Sequence, residues 1–295
     1  MRVSANSADA VKLNGDENVL TGKGLTPEEI AEKLYRYDRI AEKVPTLDEV
    51  GPKEYEQYKQ LGYFAVDRAL TDEEVNGAIE ALRHMIFVDT KGAKLQFTKP
   101  QSELHTDEER ELAIRKVYEY VGKDETLTAI SRHPKLLKVV ETILGEEPVL
   151  AQDMAILKPP HGGAEKPWHQ DMAYGPLAYD KPVVGLWIAL DPAELDNGCM
   201  HVIPKSHMTG AVPHYAVRDW QICDTNVLVE RDVAVPLPPG GVLFFHGMLH
   251  HGTPPNESTK RRRALQLHYV GKSAVKLRPD EYKRFFTNEM SGAEC

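Results

Sequence analysis

The sequence predicts a mainly β protein, a sandwich or barrel of short strands with helices packed on its outside. From residue 149 onward, short β-rich runs alternate with Pro, Gly and Asn turns at intervals of ~8–12 residues, which favours a sandwich or barrel over alternating strands and helices. Before residue 146, apolar residues instead recur at helical spacing. We therefore expect a single domain over residues 25–295, preceded by a flexible arm over residues 1–24.

Composition and charge exclude several classes of protein. The net charge is −9, and we find no basic cluster of the size that nucleic-acid binding requires. The stretch Met1–Gly15 lacks the apolar core of a secretion signal, and no run approaches the ~20 apolar residues of a membrane span. Three scattered cysteines predict neither a disulfide framework nor a zinc site. We expect a cytoplasmic protein that binds neither membrane nor nucleic acid.

The N-terminal half carries clear helix boundaries. Thr26 and Thr71 each precede an acidic capping pattern, and Gly62 and Gly145 are typical of a residue that ends a helix. The predicted elements are a helix from 27, a helix over 55–61, a strand over 63–66, a helix from 72 to about 85, and a helix over 134–144. Residues 87–110 are predicted to be irregular and exposed, and residues 114–120 are ambiguous between helix and strand.

The C-terminal half predicts a series of strands. They span residues 152–157, 183–190, 199–203, 242–245 and 264–270. Asn197-Gly198 predicts a hairpin between the second and third of these, because both residues tolerate positive φ. The sequence shows no internal repeat and no clear domain boundary.

The motif Trp168-His169-Gln170-Asp171 suggests part of a metal site. On extended backbone, residues two apart point to the same face, so the imidazole of His169 and the carboxylate of Asp171 should converge. They would supply two of the three ligands of a site with two histidines and one carboxylate, which binds non-haem Fe(II). His-x-Asp alone is a weak signal, because it occurs often by chance.

Two downstream segments complete a recognisable pattern: Gly241–Thr253, which contains His251-Gly252-Thr253, and Arg261–His268. Together with the first motif, and with Arg262 placed eleven residues after His251, they resemble the phytanoyl-CoA dioxygenase family of Fe(II)/2-oxoglutarate oxygenases. The resemblance covers roughly residues 52–270, including Leu157–Pro160 and Asp196–His207. It departs from the family at Lys205, where Gly is usual before the Ser-His pair.

The resemblance implies a fold and a set of roles. The fold would be a double-stranded β-helix, a jelly-roll of two sheets with flanking helices from the N-terminal third. His169, Asp171 and His251 would bind Fe(II), which leaves coordination positions for 2-oxoglutarate and O2. Six further residues would contact 2-oxoglutarate: Arg262 at its far carboxylate, Thr253 beside that arginine, and Trp187, Gln170, Met154 and, less directly, Lys116.

Strand alternation explains the three successive arginines. Arg262 would face the pocket, where its planar guanidinium suits a carboxylate, whereas Arg261 and Arg263 would face outward. Leu265 and Leu267 would share the outer face, and the inner face would carry Ala264, Gln266 and His268.

Several histidines have competing interpretations. His246 and His250 have the spacing of a helical zinc site, but Gly247 and the strand-like run before His246 disfavour one. His250 also competes with His251 as an iron ligand, and the spacing to Thr253 and Arg262 favours His251. His201 and His207 are more typical of structural residues, and the role of His268 stays open.

The predicted function is oxidation of a small organic metabolite, most simply hydroxylation, with succinate and CO2 as coproducts. Desaturation, epimerisation and ring formation are alternatives at the same site. A catalytically silent metal-binding jelly-roll and a metal-dependent hydrolase or isomerase are alternatives of other classes, but neither needs Arg262 and Thr253. We expect variable segments over residues 87–110, 172–182 and 208–232 to contact the substrate. The acidic net charge favours a small metabolite over an acyl-CoA, which carries several phosphate charges.

Overall fold

Two β-sheets form the centre of the structure. The computed structural model describes residues 26–161, 163–289, 292, 294 and 295, so the predicted arm over residues 1–24 lies outside the described residues. The strands are β1 Arg39–Ile40, β2 Lys43–Thr46, β3 Tyr63–Arg68, β4 Lys94–Phe97, β5 Ile114–Tyr118, β6 Pro148–Lys158, β7 Lys166–His169, β8 Val183–Ala189, β9 Met200–Val202, β10 His214–Ala216, β11 Trp220–Ile222, β12 Val233–Val235, β13 Val242–His246, β14 His251–Thr253 and β15 Arg262–Gly271. The helices are α1 Pro27–Leu34, α2 Pro52–Leu61, α3 Asp72–Phe87, α4 Asp107–Ala113, α5 Glu125–Ser131, α6 Pro134–Leu144 and α7 Pro279–Phe286.

The strand order confirms the predicted jelly-roll. The larger sheet has the order β2-β3-β13-β8-β15-β6-β5-β4, and the smaller has the order β1-β12-β9-β14-β7. Strands β10 and β11 form a separate two-stranded ribbon. Consecutive strands of the C-terminal half often fall in different sheets, as β7, β8 and β9 do, and this alternation produces two facing layers.

The larger sheet separates two apolar cores, and β8 belongs to both. Its residues Leu186 and Ile188 pack into an outer core with helices α3 and α6, whereas Trp187 and Ala189 pack into an inner core against the smaller sheet. Every residue of β8 is therefore buried, which explains its unbroken apolar sequence. The helices lie on the outside of the β core, as predicted.

The helix boundaries in the N-terminal half agree with the capping patterns. Thr26 and Thr71 each form a complete capping box, and Gly62 and Gly145 adopt the left-handed conformation, with φ of 88° and 72°. The ambiguous segment at 114 is a strand, β5. None of the described helices is both long enough and apolar enough to cross a membrane.

Three parts of the structure differ from the expectations. The segment 87–110 is not wholly irregular, because it contains β4 and the start of α4. Asn197-Gly198 does not join a hairpin: β8 lies in the larger sheet and β9 in the smaller, so this turn crosses between sheets. The cysteine spacing gave no indication of the disulfide between Cys223 and Cys295.

Candidate active site

The three predicted metal ligands converge at the end of the smaller sheet. His169 is the last residue of β7 and His251 is the first of β14, and the two are direct cross-strand partners. Asp171 lies just beyond β7, in a short 3-10 turn, and not on the strand itself. Its Oδ1 atom lies 3.3 Å from Nε2 of His169 and 3.4 Å from Nε2 of His251. Within the described part of the chain, these residues form the one group of three or more His, Cys, Asp and Glu side chains able to hold a metal ion.

Backbone carbonyl groups orient both imidazoles. Nδ1 of His169 lies 2.7 Å from the carbonyl oxygen of Pro167, and Nδ1 of His251 lies 2.8 Å from that of Leu249. A proton on each Nδ1 therefore donates to the backbone, which leaves the Nε2 lone pairs for a metal. Nε2 of His251 is buried and has no hydrogen-bond partner among the residues described. The donor set and its tautomers fit a divalent iron.

A glycine lets the two ligand-bearing strands approach each other. A Cβ atom on Gly252 would lie 3.1 Å from the carbonyl oxygen of Lys166 and 3.2 Å from the backbone nitrogen of Trp168. Trp168 itself belongs to the core, since its Nε1 donates to the carbonyl oxygen of Leu34 and its ring stacks on Tyr35. The glycine that follows His251 thus allows β14 to pack closely against the backbone of β7.

The second carboxylate oxygen of Asp171 is held by β15. Nε2 of His268 lies 2.7 Å from Oδ2 of Asp171, and Nε2 of Gln266 donates to the same oxygen at 3.1 Å. Burial alone would raise the pKa of Asp171, but His251, His268 and the hydrogen bond from His169 hold it well below its usual value. Asp171 is therefore a carboxylate with Oδ1 directed at the two ligand histidines. Strand alternation predicted that Gln266 and His268 share the inner face with Arg262. It did not predict their contacts with Asp171.

Arg262 is a buried cation, and no acidic side chain among the described residues forms an ion pair with it. Its side chain is 1% exposed, and in the described structure none of its three guanidinium nitrogens has a hydrogen-bond partner. Its guanidinium carbon lies 5.1 Å from the centre of the Trp187 ring, and burial lowers its pKa to about 10. The hydroxyl of Thr253 is likewise buried and unpartnered in this part of the chain. Such groups could bind a carboxylate.

One cavity joins these groups. It has a volume of about 300 Å³, and its wall includes all three predicted metal ligands, Arg262, Thr253, Trp187, Met154 and Lys116. The side-chain amide of Gln170 forms hydrogen bonds with backbone groups of Gly210, Val212 and Met248. Its expected contact with 2-oxoglutarate stays a prediction.

The remaining histidines lie outside the ligand group. His201 forms a buried pair with Asp232 at 2.9 Å, and Nε2 of His207 lies 3.1 Å from the carbonyl oxygen of Lys59. Both ring nitrogens of His250 are buried and unpartnered within the described residues. The outward arginines pair with acids, Arg261 with Glu111 and Arg263 with Asp191. Lys158, Arg115 and Lys166, to which the sequence gave no role, also line the cavity.

Comparison with known proteins identifies the family. Residues 58–264 match the family described as Phytanoyl-CoA dioxygenase (PhyH). The chain belongs to the phytanoyl-CoA dioxygenase family. It is 32% identical over 158 residues to mouse phytanoyl-CoA dioxygenase domain-containing protein 1, a match that covers 50% of this chain and 53% of that protein. The chain thus spans about half the length of such curated relatives.

Two solved structures share the fold of this family member. EvdO2 from Micromonospora carbonacea, complexed with 2-oxoglutarate, aligns with a TM-score of 0.63 and 22% identity over 79% of this chain and 96% of its own. The epimerase SnoN, in complex with Fe3+, alpha-ketoglutarate and nogalamycin RO, aligns with a TM-score of 0.61 and 19% identity over 77% of this chain and 85% of its own. At these identities the likeness concerns the fold.

Proposed function

We propose that this protein is an Fe(II)- and 2-oxoglutarate-dependent dioxygenase that oxidises a small organic molecule, most simply by hydroxylation. The observation that carries the proposal is the buried, unpaired guanidinium of Arg262 in the same cavity as the His169, Asp171 and His251 cluster. A metal site alone would serve many functions. A metal site next to an unneutralised cation fits a cosubstrate that both chelates the metal and presents a distant carboxylate.

Fe(II) would be held by Nε2 of His169, Nε2 of His251 and Oδ1 of Asp171. Bound iron would supply the activation of O2, which is coupled to conversion of 2-oxoglutarate to succinate and CO2. His268 and Gln266 hold the other carboxylate oxygen, so Asp171 keeps its orientation whether or not a metal is bound. Burial lowers the pKa of His169 to about 3, so its imidazole is neutral and ready to bind a cation.

2-Oxoglutarate would place its far carboxylate against Arg262, with the hydroxyl of Thr253 beside it. Trp187 forms one wall, since its ring faces the guanidinium, and Met154 lies next to Gln266 in the sheet register. The charge of Arg262 persists at neutral pH even with its lowered pKa. Its role would be to orient the cosubstrate, because two parallel hydrogen bonds fix a carboxylate in one plane.

Arg262 also distinguishes the proposed function from a metal-binding protein without catalytic activity. A catalytically silent metal-binding jelly-roll has no need for a buried unpaired cation, which costs folding free energy. Desaturation, epimerisation and ring formation use the same ligands and remain possible outcomes of the proposed reaction. The small-molecule substrate and the cytoplasmic location stay predictions.

The test is iron-dependent turnover of 2-oxoglutarate. Purified protein with Fe(II), O2 and a panel of metabolites should form succinate, and His169→Ala, Asp171→Ala or His251→Ala should each abolish it. His250→Ala is the matched control, since it removes an adjacent buried histidine and should keep both iron binding and turnover. Loss of iron from His250→Ala together with its retention by His251→Ala would overturn the assignment.

A further inference from the structure

The carbonyl oxygen of Ala173 accepts hydrogen bonds from two separate elements. Ala173 ends the short 3-10 turn that begins at Asp171, which we call the Asp171 turn. Nε1 of Trp220, on β11, donates to this oxygen at 2.8 Å, and the hydroxyl of Tyr282, on α7, donates to it at 2.6 Å. The position of the Asp171 turn therefore depends on two segments that are distant from it in the sequence.

The Asp171 turn is closed, so a shift at its end would also move Asp171. The backbone nitrogen of Tyr174 donates to the carbonyl oxygen of Asp171 at 3.0 Å. The hydroxyl of Tyr174 donates to the carbonyl oxygen of Trp220 at 2.9 Å, and its ring lies edge-on to that of His169, with centroids 5.6 Å apart. Trp220 is thus linked to the Asp171 turn and, through Tyr174, to the side of His169.

A disulfide joins the segments that carry the two donors. Cys223 directly follows β11, the strand of Trp220, and it forms a disulfide with Cys295. Cys295 lies on the C-terminal side of α7, the helix of Tyr282. The disulfide therefore holds together two elements that both contact the Asp171 turn.

Non-covalent packing gives α7 little support. The helix has eight residues, and Phe286 is the one that is buried. Phe286 lies in an apolar cluster with Ala173 and Leu177, and Leu177 also lines the metal cavity. A helix of this length is marginal without tertiary contacts, so a covalent attachment should reduce its motion.

The disulfide is open to thiol reagents on one side. Cys295 is exposed, whereas Cys223 is buried. A thiolate can attack Sγ of Cys295, which breaks the S–S bond and releases Cys223 as a thiolate, and a second thiolate then releases Cys295 from the mixed disulfide. Overall, the protein disulfide takes up two electrons and two protons to give two thiols, while two thiols of the reductant become a disulfide.

We propose that the Cys223–Cys295 disulfide is a redox-sensitive cross-link that controls how firmly the metal ligand Asp171 is held. With the bond formed, α7 stays on the Asp171 turn, and Asp171 keeps its place beside the two ligand histidines. With the bond reduced, the contact from Tyr282 opens more often and metal binding weakens. In a reducing cytoplasm, such a bond would form when conditions become oxidising. This inference rests on the proposed function, because it uses Asp171 as a metal ligand.

The first experiment measures motion of the Asp171 turn and needs no metal. Full-length protein oxidised with oxidised glutathione is compared with protein reduced by dithiothreitol, and thiol counting verifies each state. Reduction should speed amide hydrogen exchange in peptides over residues 171–177 and in α7 by at least about threefold, and it should leave α3 unchanged. Cys295→Ser should exchange like the reduced protein and should not respond to dithiothreitol.

The second experiment measures affinity for Co(II), a spectroscopic probe for the metal site. Because thiol reagents chelate metals, the reduced state is represented by the double variant Cys223→Ser and Cys295→Ser. It should bind Co(II) about three- to tenfold more weakly than the oxidised protein, less than the loss expected for a direct partner of a ligand. Melting temperatures of all variants verify folding.

A pair of matched substitutions tests the route through α7. Tyr282→Phe keeps the ring and removes the donor to Ala173, so it should weaken Co(II) binding and shrink the difference between the oxidised protein and the double variant. Tyr269→Phe is the control, because the hydroxyl of Tyr269 also donates to a backbone oxygen at 2.6 Å, that of Ser131, but in the outer core. It should change neither quantity.

Three results would overturn the proposal: failure of oxidised glutathione to join Cys223 to Cys295, equal exchange of the Asp171 turn in the oxidised and reduced proteins, or a redox difference that Tyr282→Phe leaves at full size. The last would show that the disulfide does not act through α7. Failure of the proposed function is a separate outcome. Absence of iron-dependent succinate formation would leave the exchange results intact, and these decide whether the disulfide holds the turn.

Discussion

Burial of the Arg262 guanidinium lowers the stability of the folded protein, and a bound carboxylate would offset this loss. Its guanidinium is fully buried, and no described residue accepts a hydrogen bond from it. Burying an unpaired charge is unfavourable, and a carboxylate ligand would supply both the counter-charge and the acceptors. Stability and cosubstrate affinity should therefore respond in opposite directions when this side chain is removed.

Arg262→Leu should weaken 2-oxoglutarate binding by about 2–5 kcal/mol, because a partly desolvated, charge-assisted contact is lost. The same substitution should leave the stability of the protein without ligand unchanged or slightly higher, because an unpaired buried charge is replaced by an apolar group. Titration of 2-oxoglutarate and urea unfolding measure the two effects. Iron binding should be nearly intact.

The flanking arginines provide the controls. Arg261 lies partly exposed beside Glu111, so Arg261→Leu should have little effect on either quantity. Arg263 donates to both carboxylate oxygens of Asp191, so Arg263→Leu should reduce stability by roughly 1–3 kcal/mol and leave cosubstrate affinity unchanged. A larger cosubstrate defect at Arg261 or Arg263 than at Arg262 would contradict the inward orientation of Arg262.

At the scale of elements, a turn from the end of β9 holds the strand that bears His251. The hydroxyl of Ser206 donates to the carbonyl oxygen of Ile203 at 2.7 Å and accepts from the backbone nitrogen of His250 at 2.8 Å. Lys205, which opens the short 3-10 helix Ser206–Thr209, has φ of 69°. This left-handed conformation is unfavourable for lysine and accounts for glycine being usual at this position.

Lys205→Gly should therefore stabilise the protein, by up to about 1 kcal/mol once the greater freedom of glycine in the unfolded chain is offset. Lys205→Val should destabilise it, because a β-branched residue is poorly accommodated at positive φ. Urea unfolding of both variants provides the measurement. Metal affinity should be unchanged in Lys205→Gly, and equal stability of the glycine and valine variants would show that the backbone here is not strained.

Local rules predicted the elements better than the connections between them. Capping boxes at Thr26 and Thr71 act within one helical turn, and strand parity at Arg262 acts within one strand, so both can be read from the sequence. The turn at Asn197-Gly198 has the composition of a hairpin, but its flanking strands belong to different sheets. The packing of the two layers determines which sheet each strand joins, and the local sequence does not. The hydrogen bonds from His268 and Gln266 to Asp171 join β15 to the end of β7, which no local pattern encodes.

At the scale of the whole molecule, overall charge and site charge have opposite signs. The chain carries −9, yet the cavity wall carries five basic side chains, those of Arg115, Lys116, Lys158, Lys166 and Arg262. Acidic residues elsewhere account for the negative net charge, while the apolar layers around the cavity strengthen the field of its few cations. A substrate argument based on net charge alone, such as the one against multiply charged ligands, therefore has less weight than the local arrangement of these side chains.

Burial also favours the neutral form of two histidines, His214 and His246, and this predicts a pH dependence of stability. Burial lowers the pKa of His214 to about 3 and that of His246 to about 4. In the unfolded chain both would titrate near 6.5, so the unfolded state binds more protons below that pH. Stability from these histidines is present above pH 6.5 and is lost as the pH falls toward 4, at up to about 1.4 kcal/mol per pH unit for each.

His246→Asn isolates one of these contributions. Nδ1 of His246 accepts from the backbone nitrogen of Met248 at 3.0 Å, and an asparagine oxygen can accept the same bond without titrating. The rings of His207 and Tyr58 lie beside His246, with centroid distances of 5.2 Å and 6.3 Å. Between pH 6.5 and pH 5, urea unfolding without added metal should show that His246→Asn loses about 1–2 kcal/mol less stability than the unsubstituted protein. Titrating groups that do not interact with His246 cancel in this difference, and His207, whose charge also lowers the pKa of His246, is present in both proteins. Identical pH profiles would mean that His246 binds its proton as readily in the folded protein as in the unfolded chain.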